Sequence, residues 1–189
     1  MTHSPFRDPS FTRRVPAGDS LERSVCDTCG FVHYVNPKIV VGSVVTWRDG
    51  SEERVLMCRR SIEPRAGFWT LPAGFMEEGE TTEEGARREA REEANAQIRI
   101  RDLLAVYNIP RISQVQLMYR AELMSPHVSA GEESLEVALF RWDEIPRTEI
   151  AFPSVHWALA HFDQVRAQTR IAPFSNPEGE TGNVMPQGI

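Results

Sequence analysis

The sequence has few cysteines, no long apolar run and no excess of basic charge. Its 189 residues include three cysteines, too few for a disulfide framework, and we expect these thiols to be reduced. No apolar run approaches the length of a membrane span. The opening residues, MTHSPFRDPSFTRR, lack the apolar core of a secretion signal. We therefore expect a cytoplasmic protein that does not enter a membrane.

Acidic residues outnumber basic ones. The chain has 27 Asp and Glu against 21 Lys and Arg, a formal net charge of −6, which disfavours general binding to nucleic acid or to an anionic membrane. An acidic protein still binds a phosphate ester when metal ions supply the positive charge. The length and the 41% hydrophobic content suit one globular catalytic domain with a small appendage.

The most informative stretch is residues 74–96, GFMEEGETTEEGARREAREEANA. Thr81 and Glu84 have the spacing of a capping box, which predicts a helix from there to Ala94. Asn95 follows at the position of a left-handed cap, which Asn tolerates. Small side chains suited to packing on a sheet recur every four residues: Ala86, Ala90 and Ala94.

Three acidic side chains share one side of this helix. Glu89, Glu92 and Glu93 stand at i, i+3 and i+4, and crowded carboxylates repel each other unless a cation lies between them. Oxygen ligands completed by water are typical of Mg²⁺ or Mn²⁺. The alternative is a solvated helix laced with ion pairs, such as Glu84 with Arg88.

The same stretch resembles the signature of the Nudix hydrolase family. That signature is a glycine, five residues, Glu, seven residues, then Arg-Glu-U-x-Glu-Glu-x-Gly-U, where U is apolar. It is filled here by Gly74, Glu80, Arg88, Glu89, Ala90, Glu92, Glu93 and Ala96. Asn95 replaces the family's last glycine, a small departure because Asn is the next-best residue at positive φ. A match of this length favours the metal-binding interpretation.

The resemblance implies an α/β (α+β) fold, a mixed β-sheet between helices, over about residues 38–170. It implies hydrolysis of the phosphoanhydride in a nucleoside diphosphate linked to another group. Glu89, Glu92 and Glu93, with the carbonyl of Gly74, are the implied ligands of Mg²⁺ or Mn²⁺. Glu92 or Glu93 is also a candidate to hold or deprotonate the attacking water.

Supporting residues are implied around this set. Arg88 is expected to orient the carboxylates through ion pairs, and Glu80 to support the loop. The family often places a further acidic residue in the loop near SAGEESLE, where Glu133 and Glu136 are catalytic candidates. The alternative is that these loop acids are only solvated.

Three residues are candidates for binding substrate. Arg59 and Arg60 end a predicted strand where the family often brings substrate phosphates, although strand-end charges are also commonly solvated. Tyr107 is a candidate to flank a nucleotide base, although strand aromatics more often belong to the core. Cys58 is predicted to be a small buried side chain.

Apolar runs and turn signals predict the other elements. A hairpin around Asp49 and Gly50 is predicted from two apolar runs, KIVVGSVVTW and RVLMCRRS. Two long strands are predicted from the alternation in QIRIRDLLAVYNIP and SQVQLMYRAELM. A further strand is predicted after SAGEE, and a helix is predicted to begin at Pro153. Residues 171–189, rich in Pro and Gly, are predicted to be a loose tail.

Residues 1–37 show no strand or helix periodicity and contain Cys26-x-x-Cys29. They resemble the small zinc-ribbon segment of one Nudix subgroup, in which two such pairs bind one zinc ion. The first pair aligns with Ser4 and Arg7, so half of the four ligands are missing. Two histidines are candidate substitutes: His3 and His33. A degenerate ribbon that folds by packing is the favoured interpretation, with bound zinc the alternative.

The subgroup implies a pyrophosphatase acting on ADP-ribose, FAD or NAD(H)-like molecules. A house-cleaning nucleoside triphosphate pyrophosphatase is one alternative, and a non-catalytic nucleotide sensor is another. A nucleic-acid module built on the ribbon is disfavoured by the acidic charge and the broken cysteine pattern. Family members of this type are often homodimers, so a homodimer is a further expectation.

Overall fold

The structure, a computed structural model, describes residues 10–183. The chain divides between residues 36 and 37 into two compact units. The smaller unit is an antiparallel sheet of three strands in sequence order: β1 (Phe11–Arg14), β2 (Arg23–Cys26) and β3 (Val32–His33). Every residue of β1 is exposed, so no alternation of apolar and polar residues marks this strand in the sequence.

The larger unit is built on a mixed sheet of seven strands. They are β4 (Lys38–Asp49), β5 (Glu52–Arg60), β6 (Trp69–Thr70), β7 (Ala73–Phe75), β8 (Ile98–Ile109), β9 (Gln114–Leu123) and β10 (Ser134–Arg141). The main order is β10-β5-β4-β9-β8, while β6 pairs with β5 and β7 with β4. Only the β4–β9 pair among these is parallel. The predicted hairpin of β4 and β5 is confirmed.

Two α-helices cover opposite faces of this sheet: α1 (Thr82–Ala94) and α2 (Pro153–Val165). Successive residues of a strand point to opposite faces. Val44 accordingly packs in one core cluster with Trp157 of α2, and Val45 packs in another with Ala90 of α1. The predicted mixed sheet between helices is confirmed. Neither helix has the length and apolar composition that a membrane crossing requires, within the described residues.

The predicted ends of α1 are confirmed. The amide of Glu84 donates to Thr81 Oγ1 at 3.2 Å, and the amide of Thr81 donates to Glu84 Oε2 at 2.8 Å. Asn95 ends the helix in the left-handed region, with φ 48°. Inside the helix, a Cβ at Gly85 would lie 2.7 Å from Glu80 Oε1 and 2.8 Å from a Val41 methyl. The glycine therefore lets α1 pack close to the sheet.

Residues 171–183, for which composition predicts a loose tail, make ordered contacts with β8. The Phe174 amide donates to the Leu104 carbonyl at 2.8 Å, and the Val106 amide donates to the Phe174 carbonyl at 2.9 Å. The Phe174 ring stacks on His161 of α2 at a centroid distance of 4.2 Å. Since β8 is an outer strand of the main order, its free backbone groups are the physical reason for this docking.

Candidate active site

The acidic side of α1 faces a cleft of about 1690 Å³ in the larger unit. Glu89, Glu92 and Glu93 all line the cleft, as does Gly74. Glu89 and Glu93 are largely buried, with 7% and 5% of their surface exposed, whereas Glu92 is exposed. The helical spacing therefore brings the three predicted carboxylates to one surface.

Arg88 connects these carboxylates to the loop before the helix. Its Nη1 donates to Glu89 Oε1 at 2.7 Å and to Glu92 Oε2 at 2.9 Å. Its other nitrogens hold both carboxylate oxygens of Glu80, at 2.8 and 3.1 Å, and the Phe75 carbonyl at 2.9 Å. Glu80 in turn accepts the Glu77 amide at 2.7 Å, which fixes the loop. Arg88 and Glu80 thus link the loop before the helix to the carboxylates of α1 through side-chain hydrogen bonds.

Gly74 lies directly beside Glu89. It pairs with Val41 through β7, and a Cβ added to it would overlap the carboxylate oxygens of Glu89. Only glycine therefore allows the loop backbone to approach this carboxylate so closely.

Glu93 is the most perturbed acid of the set. Burial raises its pKa from 4.5 to about 8, the charges of Glu89 and Glu133 add to the rise, and Arg60 opposes it. Its Oε2 is buried with no hydrogen-bond partner among the described residues. Burial likewise raises the pKa of Glu89, against the lowering effect of Arg88. In both residues burial is the largest cause of the raised pKa, since it disfavours the charged form of the carboxyl group.

These donors fit a hard divalent cation. Carboxylate and carbonyl oxygens are the ligands that Mg²⁺ and Mn²⁺ prefer, and the free Oε2 of Glu93 offers one of them. Among residues 10–183, no three acidic, histidine or cysteine side chains converge as a preformed metal site. Two of the candidate carboxylates, Glu89 and Glu92, bind Arg88 instead. Arg88 contacts one oxygen of each carboxylate, Oε1 of Glu89 and Oε2 of Glu92, so the second oxygen of each could still bind a cation.

The loop before β10 is attached to the end of α1 and brings Glu133 to the cleft. The amides of Ser129 and Gly131 each donate at 3.0 Å to the last carbonyls of the helix. A Cβ at Gly131 would overlap the Glu92 carbonyl. Asn95 Nδ2 also donates to the Ser129 carbonyl at 3.1 Å. The residue that departs from the family signature thus helps to hold this loop, a role the signature does not indicate.

Arg59 and Glu136 are placed away from the cleft, which corrects their prediction as site residues. They are paired in register across β5 and β10, with Arg59 Nη1 3.5 Å from Glu136 Oε2. Their neighbours Arg60 and Glu133 line the cleft instead. Arg60 reaches the cleft and Arg59 does not, because adjacent residues of β5 point to opposite faces of the sheet.

Tyr107 lies in the core, so its prediction as a substrate-binding residue is also corrected. It has no exposed surface, and its hydroxyl is 2.8 Å from His161 Nδ1. Its ring contacts Trp157 edge-on at 5.4 Å. The alternative, that this strand aromatic is a core residue, is the correct one. Cys58 is buried as predicted.

The two cysteines of the small unit form a knuckle-like turn. The Gly30 amide donates to the Cys26 carbonyl at 3.0 Å, and Gly30 has φ 77°. The backbone amides of Cys29 and Thr28 lower the pKa of the Cys26 thiol. His33 contacts Phe11 edge-on at 6.4 Å. The two aligned positions, Ser4 and Arg7, and the candidate substitute His3 lie outside the described residues.

Another part of the cleft wall was not predicted from the sequence. It is formed by the end of β8, the following 3₁₀ turn (Pro110–Ile112), β9, the start of α2 and the C-terminal segment, residues 171–183. Its side chains include Arg111, Gln114, Gln116, Phe152 and Asn183. The only signal in the sequence is the alternation of Gln114, Gln116 and Met118 along one face of β9.

Comparison with known proteins agrees with this architecture. Residues 37–163, more than half of the chain, match the NUDIX domain family. The chain belongs to the Nudix family. Residues 9–35 match the zinc-ribbon family described as Nudix N-terminal, so the predicted subgroup resemblance is confirmed. The chain is therefore a Nudix hydrolase, as predicted, and enzymes of this family generally use a divalent metal.

Three relatives are representative. A crystal structure of a NUDIX hydrolase from Nitrosomonas europaea is 42% identical with a TM-score of 0.82, over 93% of this chain and 98% of that one. An ADP-ribose pyrophosphatase of Methanocaldococcus jannaschii is 27% identical over 60% of this chain and 68% of its own length. The NAD-capped RNA hydrolase NudC of Pseudomonas aeruginosa is 30% identical over 70% of this chain. The match spans about half, 46%, of that relative.

Proposed function

We propose that this Nudix hydrolase is a Mg²⁺-dependent pyrophosphatase of nucleoside diphosphates linked to a second group. ADP-ribose, FAD and NAD(H)-like molecules are the proposed substrates, and the products are a nucleoside monophosphate and the other half as a phosphate ester. The observation that carries the proposal is the acidic set of Glu89, Glu92 and Glu93 along a large cleft. The likeness to an ADP-ribose pyrophosphatase supports the substrate class.

We assign the metal to Glu89, Glu92 and Glu93 with the carbonyl of Gly74; Mn²⁺ is the alternative ion. When bound, such a cation offsets phosphate charge and lowers the pKa of a coordinated water. The buried position of Glu93 keeps its carboxylate away from bulk water. Arg88 holds Glu89 and Glu92 in place through its planar donors.

The remaining roles follow from placement. In the hydrolysis, a water oxygen bonds to one phosphorus, the bridging P–O bond breaks, and the water's proton passes to a carboxylate. Glu92, Glu93 and Glu133 line the cleft and are the proposed acceptors. Arg60 also lines the cleft and is proposed to bind phosphate oxygens. Its guanidinium lies 5.1 Å from the Phe152 ring, which restricts its orientation.

A substrate screen tests the proposal. ADP-ribose, FAD, NADH, a nucleoside triphosphate and an NAD-capped RNA are each incubated with Mg²⁺, Mn²⁺ or EDTA, and the products are separated by chromatography. We expect AMP from ADP-ribose or FAD with Mg²⁺ and none with EDTA. Absence of turnover on every dinucleotide-like compound would refute the proposal.

The same screen separates the alternatives. Release of pyrophosphate from the triphosphate alone would identify the house-cleaning enzyme. Tight nucleotide binding without turnover would identify a sensor, and Glu93→Gln would then leave binding almost unchanged. Cleavage of NAD-capped RNA in preference to free NADH would extend the substrate to RNA, against the expectation from the acidic charge. The proposed homodimer is tested separately, by light scattering after gel filtration.

A further inference from the structure

The C-terminal segment, residues 171–183, supplies part of the cleft wall, and the described residues that line the cleft beside it are not acidic. Gly182 and Asn183 line the cleft together with Ile109, Arg111 and the 114–118 part of β9. In contrast with the side formed by α1, this region offers amides, apolar side chains and one guanidinium. The two halves of the cleft therefore suit chemically different parts of one ligand.

A single side chain fixes the segment to β8. Asn176 Oδ1 accepts the Asn108 amide at 2.8 Å, and Asn176 Nδ2 donates to the Asn108 carbonyl at 2.8 Å. The same Nδ2 donates to the Glu180 carbonyl at 3.0 Å, which closes the turn between them. This side chain thus takes the place of a neighbouring strand and directs the chain back towards the cleft.

The cleft-lining residues then fit closely. Gly182 has φ 75°, and a Cβ there would lie 2.6 Å from the Ile109 Cδ1 atom. Asn183 Oδ1 accepts from Arg111 Nε at 3.2 Å, which leaves the Asn183 amide nitrogen available as a donor. A built contact, and not a chance approach, therefore holds this part of the wall.

The chemistry of the wall matches a nucleobase. Ile112, with 43% of its surface exposed, offers an apolar side chain, while the amides of Gln114, Gln116 and Asn183 offer both donors and acceptors. A phosphate would require several cations, and Arg111 is the only one in this part of the wall that the described residues supply. A neutral, flat ring with polar edges is complementary to such a surface.

We infer that Gly182 and Asn183, with Arg111 and the amides of β9, form the pocket that receives the nucleobase of the substrate. The inference rests on the proposed function for the nucleotide nature of the ligand. It assigns base recognition to the C-terminal segment and phosphate chemistry to the α1 side. Loss of the segment should therefore weaken binding of a nucleotide but not of its base-free counterpart.

Isothermal titration with AMP and with ribose 5-phosphate in Mg²⁺ tests this. Neither ligand contains a phosphoanhydride, so binding is measured without turnover. For a chain ending at Thr181, we expect AMP affinity to fall at least tenfold and ribose 5-phosphate affinity to stay within twofold. The point variant Asn183→Ala, which keeps the Asn176 attachment, should lower AMP affinity several-fold. Glu178→Ala, in the same segment and outside the cleft, is the matched control.

Equal losses for both ligands, or no loss of AMP affinity, would overturn the inference, as would a wild-type protein that prefers ribose 5-phosphate. The titration is independent of hydrolysis. A protein that binds AMP through this wall but cleaves nothing would refute the proposed activity and leave the pocket standing. A protein that hydrolyses ADP-ribose equally well without the segment would support the proposed activity and refute the nucleobase pocket.

Discussion

Arg88 balances the charge of the site, because one guanidinium faces three carboxylates. Its pairs with Glu80 and Glu89 are largely shielded from solvent, and the one with Glu92 is more exposed. All five of its hydrogen bonds depend on the planar, forked arrangement of the guanidinium. A point charge of the same sign lacks that geometry.

We therefore expect Arg88→Lys to behave as a disruptive change. An ammonium group cannot hold Glu80 by two bonds and Glu89 at the same time, so kcat/KM should fall by about 10- to 100-fold. Steady-state kinetics on the substrate found in the screen measure this loss. Arg87→Lys, whose arginine pairs with the exposed Glu83, is the control and should change little. An unchanged rate would show that Arg88 has no positioning role.

Glu93 couples stability to pH in the metal-free protein. Its pKa of about 8 exceeds the ordinary 4.5, so the folded state holds a proton that the unfolded state has lost between these values. The unfolding free energy should therefore decrease as pH rises from 4.5 to 8. Glu93→Gln removes this penalty, and we expect it to stabilise the protein at pH 8 by roughly 3 to 5 kcal/mol but not at pH 4.

Urea unfolding of both proteins in EDTA at pH 4 and pH 8 measures the difference. The same variant should lose activity by about 10²- to 10³-fold, since a neutral amide cannot act as an anionic ligand or proton acceptor. Greater stability together with lost activity is the expected pair. Equal stability of both proteins at pH 8 would contradict the burial of a charged Glu93.

Among the elements, the loop of residues 129–133 and the end of α1 form one structural unit. The loop amides donate hydrogen bonds to helix carbonyls that would otherwise have no partner, and the Asn95 side chain donates one to the loop. Glu133 is thereby positioned by the same contacts that end the helix. This loop and α1 should therefore respond together to one substitution.

Gly131→Ala tests this coupling. The added methyl would overlap the Glu92 carbonyl, so either the loop or the helix end must move. We expect the unfolding free energy to fall by about 1 to 3 kcal/mol and kcat to fall as well. Pro126→Ala, at an exposed position of the same β9–β10 connection but outside residues 129–133, is the control. Loss of stability with full activity would show that Glu133 is not positioned by this contact.

The elements that the sequence predicts well are those with strong local signals. Thr81 and Glu84 mark the start of α1, and the alternation in β8 and β9 marks two long strands. Arg59 and Glu136 were wrongly assigned to the site because the register of a strand decides which face of the sheet each of its residues points to. β10 and β5 shift register between Ser134 and Glu136, which no local pattern reveals. The wall built from residues 182–183 depends on a tertiary contact through Asn176 and is equally invisible in the sequence.

At the scale of the whole molecule, the larger unit keeps the full acidic signature of its family while the smaller unit keeps one cysteine pair. Cys26 and Cys29 are free thiols on a turn of the kind that binds zinc. A structural zinc site needs four ligands, and among the described residues no third histidine, cysteine or acidic side chain converges with these two, His33 included. The small sheet is thus expected to fold through its strand pairing and apolar contacts.

We expect no stoichiometric zinc in the purified protein. Elemental analysis by plasma mass spectrometry measures the metal content, and a thermal scan with and without a strong chelator measures its effect on stability. The melting temperature should be the same in both scans, since no zinc contributes to folding. One zinc per chain, with a lower melting temperature in chelator, would show that ligands outside the described residues complete the site.

The attachment of Phe174 and Asn176 to β8 also bears on self-association. These residues take up backbone groups of Leu104, Val106 and Asn108 that would otherwise form an open strand edge. An open edge is a template on which another chain can pair. A chain shortened to residue 173 should therefore tend to oligomerise or precipitate. A chain shortened to residue 181 keeps the edge of β8 covered and should not aggregate.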